Sequence, residues 1–96
     1  MRNYEIMFIV RPTLGEEEIK KVAKDFEAII TSNGGKVTNF KEMGQRDLAY
    51  AIKDFTKGYY YVINFESKDD VAVKEFDRLA LISGDVIRHL ITKLED

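Results

Sequence analysis

Apolar side chains recur along this chain with two different periods, and the switches between them mark out its elements. In Asn3–Val10, Tyr4, Ile6, Phe8 and Val10 fall on one side of an extended chain and Glu5, Met7 and Ile9 on the other. Both sides are partly apolar, which predicts a central strand. Pro12, the only proline, ends it. Thr13-Leu14-Gly15-Glu16 has the form of a capping box, and Glu16, Glu17 and Glu18 suit the positive end of a helix dipole. Ile19, Val22, Ala23, Phe26, Ile29 and Ile30 then recur at helical spacing as one stripe, which Asn33-Gly34-Gly35 terminates.

Lys36 to Lys53 returns to a strand pattern, broken at Gly44, where a bulge or bend is expected. Beyond it Arg46, Leu48, Tyr50 and Ile52 should point one way, and Gln45, Asp47, Ala49 and Ala51 the other. Asp54 to Gly58 reads as turn material, so Tyr59–Phe65 should pair back as a hairpin. Ser67 and Asp70 open a second helix with Ala72, Phe76, Leu79 and Ala80 as its stripe, and Gly84 ends it. Val86–Lys93 is the last strand. The order βαββαβ predicts an α+β, ferredoxin-like fold: a four-stranded antiparallel sheet with two helices on one face. No linker, repeat or low-complexity segment interrupts it, so residues 1–96 should form a single domain.

The third strand decides which sheet face is the core. Tyr61, Ile63 and Phe65 alternate with Tyr60, Val62 and Asn64. The first set is apolar throughout, whereas burying Asn64 would demand a hydrogen-bond partner. Tyr61, Ile63 and Phe65 should therefore face the helices, together with Tyr4, Ile6, Phe8 and Val10. Met7, Ile9, Tyr60 and Val62 would then lie on the open face. That patch is either a partner surface or scattered surface hydrophobicity. In the last strand, Ile87, His89 and Ile91 should point inward, since the other phase would bury the Arg88 guanidinium.

Charge narrows the functional classes. The chain carries a net charge of −2 with a pI near 5.4. Domains that bind nucleic acid by bulk charge usually have a pI above ~9, so any RNA contact must rest on a local cluster of Arg and Lys, helped by a more basic partner. With no cysteine, disulfides, thiolate zinc sites and cysteine nucleophiles are excluded. No apolar run approaches the ~20 residues of a membrane span, and Glu5 falls where a signal peptide would be apolar, so neither secretion nor membrane insertion is expected.

Candidate chemistry is sparse. The one histidine, His89, has no serine or cysteine near it in sequence. The carboxylates cluster at helix starts, and no glycine-rich phosphate loop is present. Arg11 before Pro12 offers the nearest approach to an acylphosphatase-like anion site, without an anion cradle around it. No enzyme, cofactor or metal site is expected. Lys57-Gly58-Tyr59-Tyr60-Tyr61-Val62 nearly matches the aromatic run with which RNA-recognition modules stack bases. Displaying Tyr59 and Tyr61, however, would also expose Ile63 and Phe65 and bury Asn64.

Gly44-Gln45-Arg46-Asp47-Leu48-Ala49-Tyr50-Ala51-Ile52-Lys53 resembles the signature of the bacterial ribosomal protein S6 family: Gly, a variable residue, a basic and a polar residue, Leu-Ala-Tyr, and Ile two further on. The likeness runs along the whole chain, through Arg2-Asn3-Tyr4-Glu5-Ile6, Pro12, Gly58-Tyr59 and Val86-Ile87-Arg88. Ala51 stands where proline is frequent and Met43 where tryptophan is common. The sequence ends at Asp96 without the acidic tail of some members.

The resemblance implies a structural constituent of the small ribosomal subunit, located on cytoplasmic ribosomes and monomeric when free. Such a protein joins ribosomal protein S18, and the pair binds the central domain of small-subunit ribosomal RNA. By family likeness the RNA contacts are expected at Arg2, Asn3, Arg88 and Lys93, with His89 at the rim. The first and last strands should be neighbours, so these cations are expected to cluster; each of them is otherwise a solvated strand-end charge. The second strand should be a sheet edge with free backbone groups. Arg46, Leu48, Ala49 and Tyr50 on that edge, with Met7, Ile9 and Tyr60 on the open face, are the expected partner-binding residues; the motif alternatively only locks the hairpin. The rival from another class is a ferredoxin-like regulatory module that self-associates and binds a small metabolite.

Overall fold

A computed structural model describes residues 2–94; the ends of the expected domain, Met1, Glu95 and Asp96, lie outside the described residues. The chain runs β1 (Arg2–Val10), α1 (Glu16–Ser32), β2 (Lys36–Ile52), β3 (Phe55–Ser67), α2 (Val71–Ile82) and β4 (Val86–Leu94). The sheet is four-stranded and antiparallel, in the order β2-β3-β1-β4, and the fold is ferredoxin-like. β2 and β4 are therefore its two edges, and β1 and β4 are neighbours, as the sequence pattern required.

One apolar core lies between the sheet and both helices. Tyr4, Ile6, Phe8 and Val10 of β1 and Tyr61, Ile63 and Phe65 of β3 meet Ile19, Ala23, Phe26 and Ile30 of α1 and Ala72, Phe76 and Ala80 of α2. Phe8 is the hub, stacked on Tyr61 at 5.4 Å between ring centroids and packed edge-on against Phe76 at 5.6 Å. Asn64 stays on the open face and donates to the Glu5 carboxylate at 3.3 Å. The alternation in β3 thus resolves as read, and the base-stacking reading falls: Tyr61 is 1% exposed, and Tyr59 packs against the core.

Local signals were less faithful. The capping box does not form. Gly15 is the N-cap of α1, and the Thr13 hydroxyl instead accepts from the Arg11 guanidinium at 2.8 Å. The other end behaves as expected, with Gly34 at φ +88° and the Gly35 N–H returning to the Ile30 carbonyl. At α2 the Asp69 carboxylate, rather than Ser67 or Asp70, accepts from the Val71 N–H at 3.1 Å. Ser83 in extended conformation closes that helix, so Gly84 supplies no left-handed cap.

Two registers also differ from the simple alternation. The hairpin turn is Lys53-Asp54 alone, at φ +51° and +68°, and β3 already starts at Phe55. Two consecutive positive φ angles match the twist of paired strands, which the residues Asp54 to Gly58 as an open turn would not. In β4, a bulge opposite Ile9–Val10 brings Val86 into register with Val10 and into the core. His89 and Ile91 face the helices, but Ile87, though buried, is outside the core cluster. An extra residue in one strand shifts everything on its far side by one phase.

Candidate functional site

The signature segment leaves the sheet plane. Asp47 still pairs with Lys57, and pairing resumes only at Ile52 with Phe55, so Leu48–Ala51 stand opposite Thr56 alone. Surplus backbone in one strand must bow out of the ladder, and here it bows across the open face. Leu48, Ala49, Tyr50 and Ile52 form one wall of a cradle of about 230 Å³, with Met7 and Ile9 of β1, Tyr60 of β3 and Arg88 and Leu90 of β4 completing it. The Arg88 guanidinium donates to the Tyr50 hydroxyl at 2.8 Å, so residues from opposite edges of the sheet meet over its middle.

Gly58 permits this closeness. It lies in β3 opposite Arg46, and a Cβ there would collide with the Ile9 Cγ2 methyl. Ile9 is 3% exposed as a result, a correction to its expected place on an open surface. The alternation expected after Gly44 fails too: Ala49 lines the same cradle as Leu48 and Tyr50, because a bowed segment has no strand period to obey. Of the expected partner-binding residues, Met7, Ile9, Leu48, Ala49, Tyr50 and Tyr60 come together. Arg46 does not join the lining; it sits exposed at the foot of the bow, opposite Gly58. Leu90 was not singled out from sequence, although it alternates with Arg88; it is 54% exposed at the rim.

The expected RNA contacts divide into two places. Antiparallel pairing sets Lys93 opposite Tyr4 and Asn3 opposite Leu94, at the start of β1, whereas Arg88 is opposite Ile9 and His89 opposite Phe8. Five residues at ~3.4 Å each separate Lys93 from Arg88, about 17 Å. Adjacency of two strands brings together only residues in register, so the expected cluster of all these cations does not form. Arg2 donates to the Tyr4 phenol, which, with the nearby Asp70 and Asp69 carboxylates, raises its pKa further above the ordinary value. Asn3 lies in register between Glu66 and Leu94. His89 is on the helix side, its Nε2 2.7 Å from the Asp77 carboxylate and its ring against Phe76.

Among the described residues no group of three or more His, Asp or Glu side chains is placed to hold a metal ion. Nor, among them, is any helix long and apolar enough to cross a membrane.

The model of the family described as ribosomal protein S6 matches residues 3–93. The chain belongs to the ribosomal protein S6 family. It is therefore a small-subunit ribosomal protein, from a family that is structural and non-enzymatic. The crystal structure of 30S ribosomal protein S6 from Thermotoga maritima is 32% identical, with a TM-score of 0.93 over 97% of this chain and 87% of that one. The C-terminal domain of the MgtC protein from Mycobacterium tuberculosis shares the fold at 10% identity, with a TM-score of 0.62 over 99% of this chain and 89% of its own.

Proposed function

We propose that the protein is a scaffold that holds the central domain of small-subunit ribosomal RNA jointly with ribosomal protein S18, on cytoplasmic ribosomes, and turns nothing over. The supporting observation is the use made of the signature segment. Leu48, Ala49 and Tyr50 build the wall of an apolar cradle on the outer sheet face, where a monomer gains little from displaying Met7, Tyr60 and Leu90. A cradle of about 230 Å³ is suited to receive an apolar side chain from S18. Arg46, exposed at the foot of the bow, is placed to meet the partner's edge.

The RNA is held at two regions in this reading. Arg2, Asn3 and Lys93 serve the β1 start, and Arg88 with His89 behind it serves the other end. Phosphate contacts from Arg and Lys position a strand without reading its sequence. With a net charge of −2, the protein lacks the field to hold RNA alone, so S18 supplies the rest of the affinity.

Calorimetric titration with S18, followed by filter binding of a central-domain RNA fragment, tests this. Ala49→Asp and Leu90→Asp should each weaken S18 binding at least tenfold while circular dichroism stays unchanged. An Arg2→Ala/Lys93→Ala double variant should keep S18 binding and lose RNA affinity. Tight RNA binding by the chain alone at physiological salt would refute the joint-holding account.

A further inference from the structure

The outer edge of β4 gathers basic side chains that the sequence scatters. Lys53 from the hairpin turn and Arg88 and His89 from β4 border a concavity of about 260 Å³ lined also by Val86, Ile87 and Leu81. Lys53 belongs to the β2–β3 hairpin, whose strand β2 is the far edge of the sheet, yet it arrives here. The Leu48–Ala51 bow carries the hairpin over the open face, and the Tyr50–Arg88 hydrogen bond pins it at its destination.

The charge here is uncompensated. Asp77 is committed to His89 at 2.7 Å, and Asp85, next to Val86, to Arg11 at 2.9 Å. Among the described residues no carboxylate forms an ion pair with Lys53 or Arg88. Arg88 spends one terminal nitrogen on Tyr50 and keeps its other N–H donors. Beside these cations Leu81 is 67% exposed, an apolar surface at the lip. Two free cations over a partly apolar floor match a phosphate with its ribose. The volume lies below the ~300–1,000 Å³ usual for small-molecule sites, which argues for one unit of a polymer rather than a free metabolite.

We propose that this edge is a subsite for a phosphodiester of an unpaired RNA strand. Lys53 and Arg88 clamp the phosphate oxygens, and Leu81 takes the ribose. His89, held by Asp77, forms the inner wall. This rests on the scaffold reading above and adds to it a residue, Lys53, and a ligand group. The apolar cradle shares Arg88 with this edge, but Lys53 does not contribute to it.

The test compares Lys53→Asn with the unaltered chain, each in complex with S18, by filter binding of a central-domain RNA fragment at several salt concentrations. Asparagine tolerates the positive φ of this turn position, so the cation is removed and the turn kept. Affinity should fall roughly three- to tenfold, and the slope of log affinity against log salt should shrink by about one. S18 binding without RNA should be unchanged. Lys57→Asn, a hairpin lysine outside the concavity, should leave the slope as it was. An unaltered affinity and slope in Lys53→Asn, or an equal loss in Lys57→Asn, would overturn the subsite and leave the scaffold reading standing. Failure of the unaltered complex to bind RNA at all would overturn both.

Discussion

The Tyr50 hydroxyl accepts a hydrogen bond from Arg88 at 2.8 Å across the open face of the sheet, although β2 and β4 are its opposite edges. This contact closes the cradle at one end and sets the position of the hairpin at the other. Tyr50 is 63% exposed, so the bond is wet and contributes about 0.5–1 kcal/mol rather than the larger value of a buried charged pair. Tyr50→Phe should lower the unfolding free energy by that amount, seen as a fall in the urea midpoint with an unchanged m-value. It should also weaken S18 binding, because a freed hairpin must be reordered when the partner arrives.

Gly58→Ala should be far more costly than its size suggests. The new methyl would meet Ile9 Cγ2, and Ile9 is buried between β3 and the bow with little room to move. Overpacking of this kind costs about 1–3 kcal/mol, measurable as a fall in the urea midpoint. Gly58→Ala/Ile9→Ala, which removes the colliding Cγ2, should cost less than the sum of the two single substitutions.

Tyr61 offers the opposite case. Its hydroxyl is buried without a hydrogen-bond partner. Burial first, then the Glu42 carboxylate, with smaller effects of Tyr59 and Glu16, raises its pKa above the ordinary value of a phenol. Tyr61→Phe should stabilise the protein by about 1 kcal/mol at pH 7, because an unsatisfied group is removed and the ring packing kept. The pH dependence follows from linkage. Above the unfolded phenol pKa of about 10, the unfolded chain releases this proton while the folded one retains it, so stability falls as pH rises from there toward the folded value. The melting temperature of the unaltered chain should drop faster than that of Tyr61→Phe between about pH 9.5 and 11.

The hairpin turn can be improved. Lys53 and Asp54 both hold positive φ, which costs residues with ordinary side chains more than Asn-Gly. Lys53→Asn/Asp54→Gly should raise stability by about 0.5–1 kcal/mol in urea unfolding. Because it lacks the Lys53 cation, this more stable variant should bind RNA less well, separating stability from binding in one molecule.

The single histidine should behave as a packing residue at the β4–α2 junction. His89→Ala removes the Phe76 contact and leaves Asp77 alone, so it should destabilise by roughly 1–2 kcal/mol. His89→Gln, which keeps a donor toward Asp77, should recover part of that loss in urea unfolding, whereas a purely apolar loss would not be recovered.

Element order, the helical stripes, the edge position of β2 and the inward face of β3 were all determined by the sequence alone. They depend on period and polarity: Asn64 beside Tyr61, Ile63 and Phe65 leaves one phase that avoids burying an amide. The signature pattern carried the family as well. The tertiary structure decided where that signature goes. A strand period says which residues share a face only while the ladder is regular, and the surplus at Leu48–Ala51 and the bulge at Ile87 each break it. Adjacency of β1 and β4 was legible, but antiparallel register sends Lys93 and Arg88 to different ends. Lys53 and Arg88 come together for the same reason that the pattern hid them: a bowed segment crosses the sheet in space, and no spacing along the chain encodes a crossing.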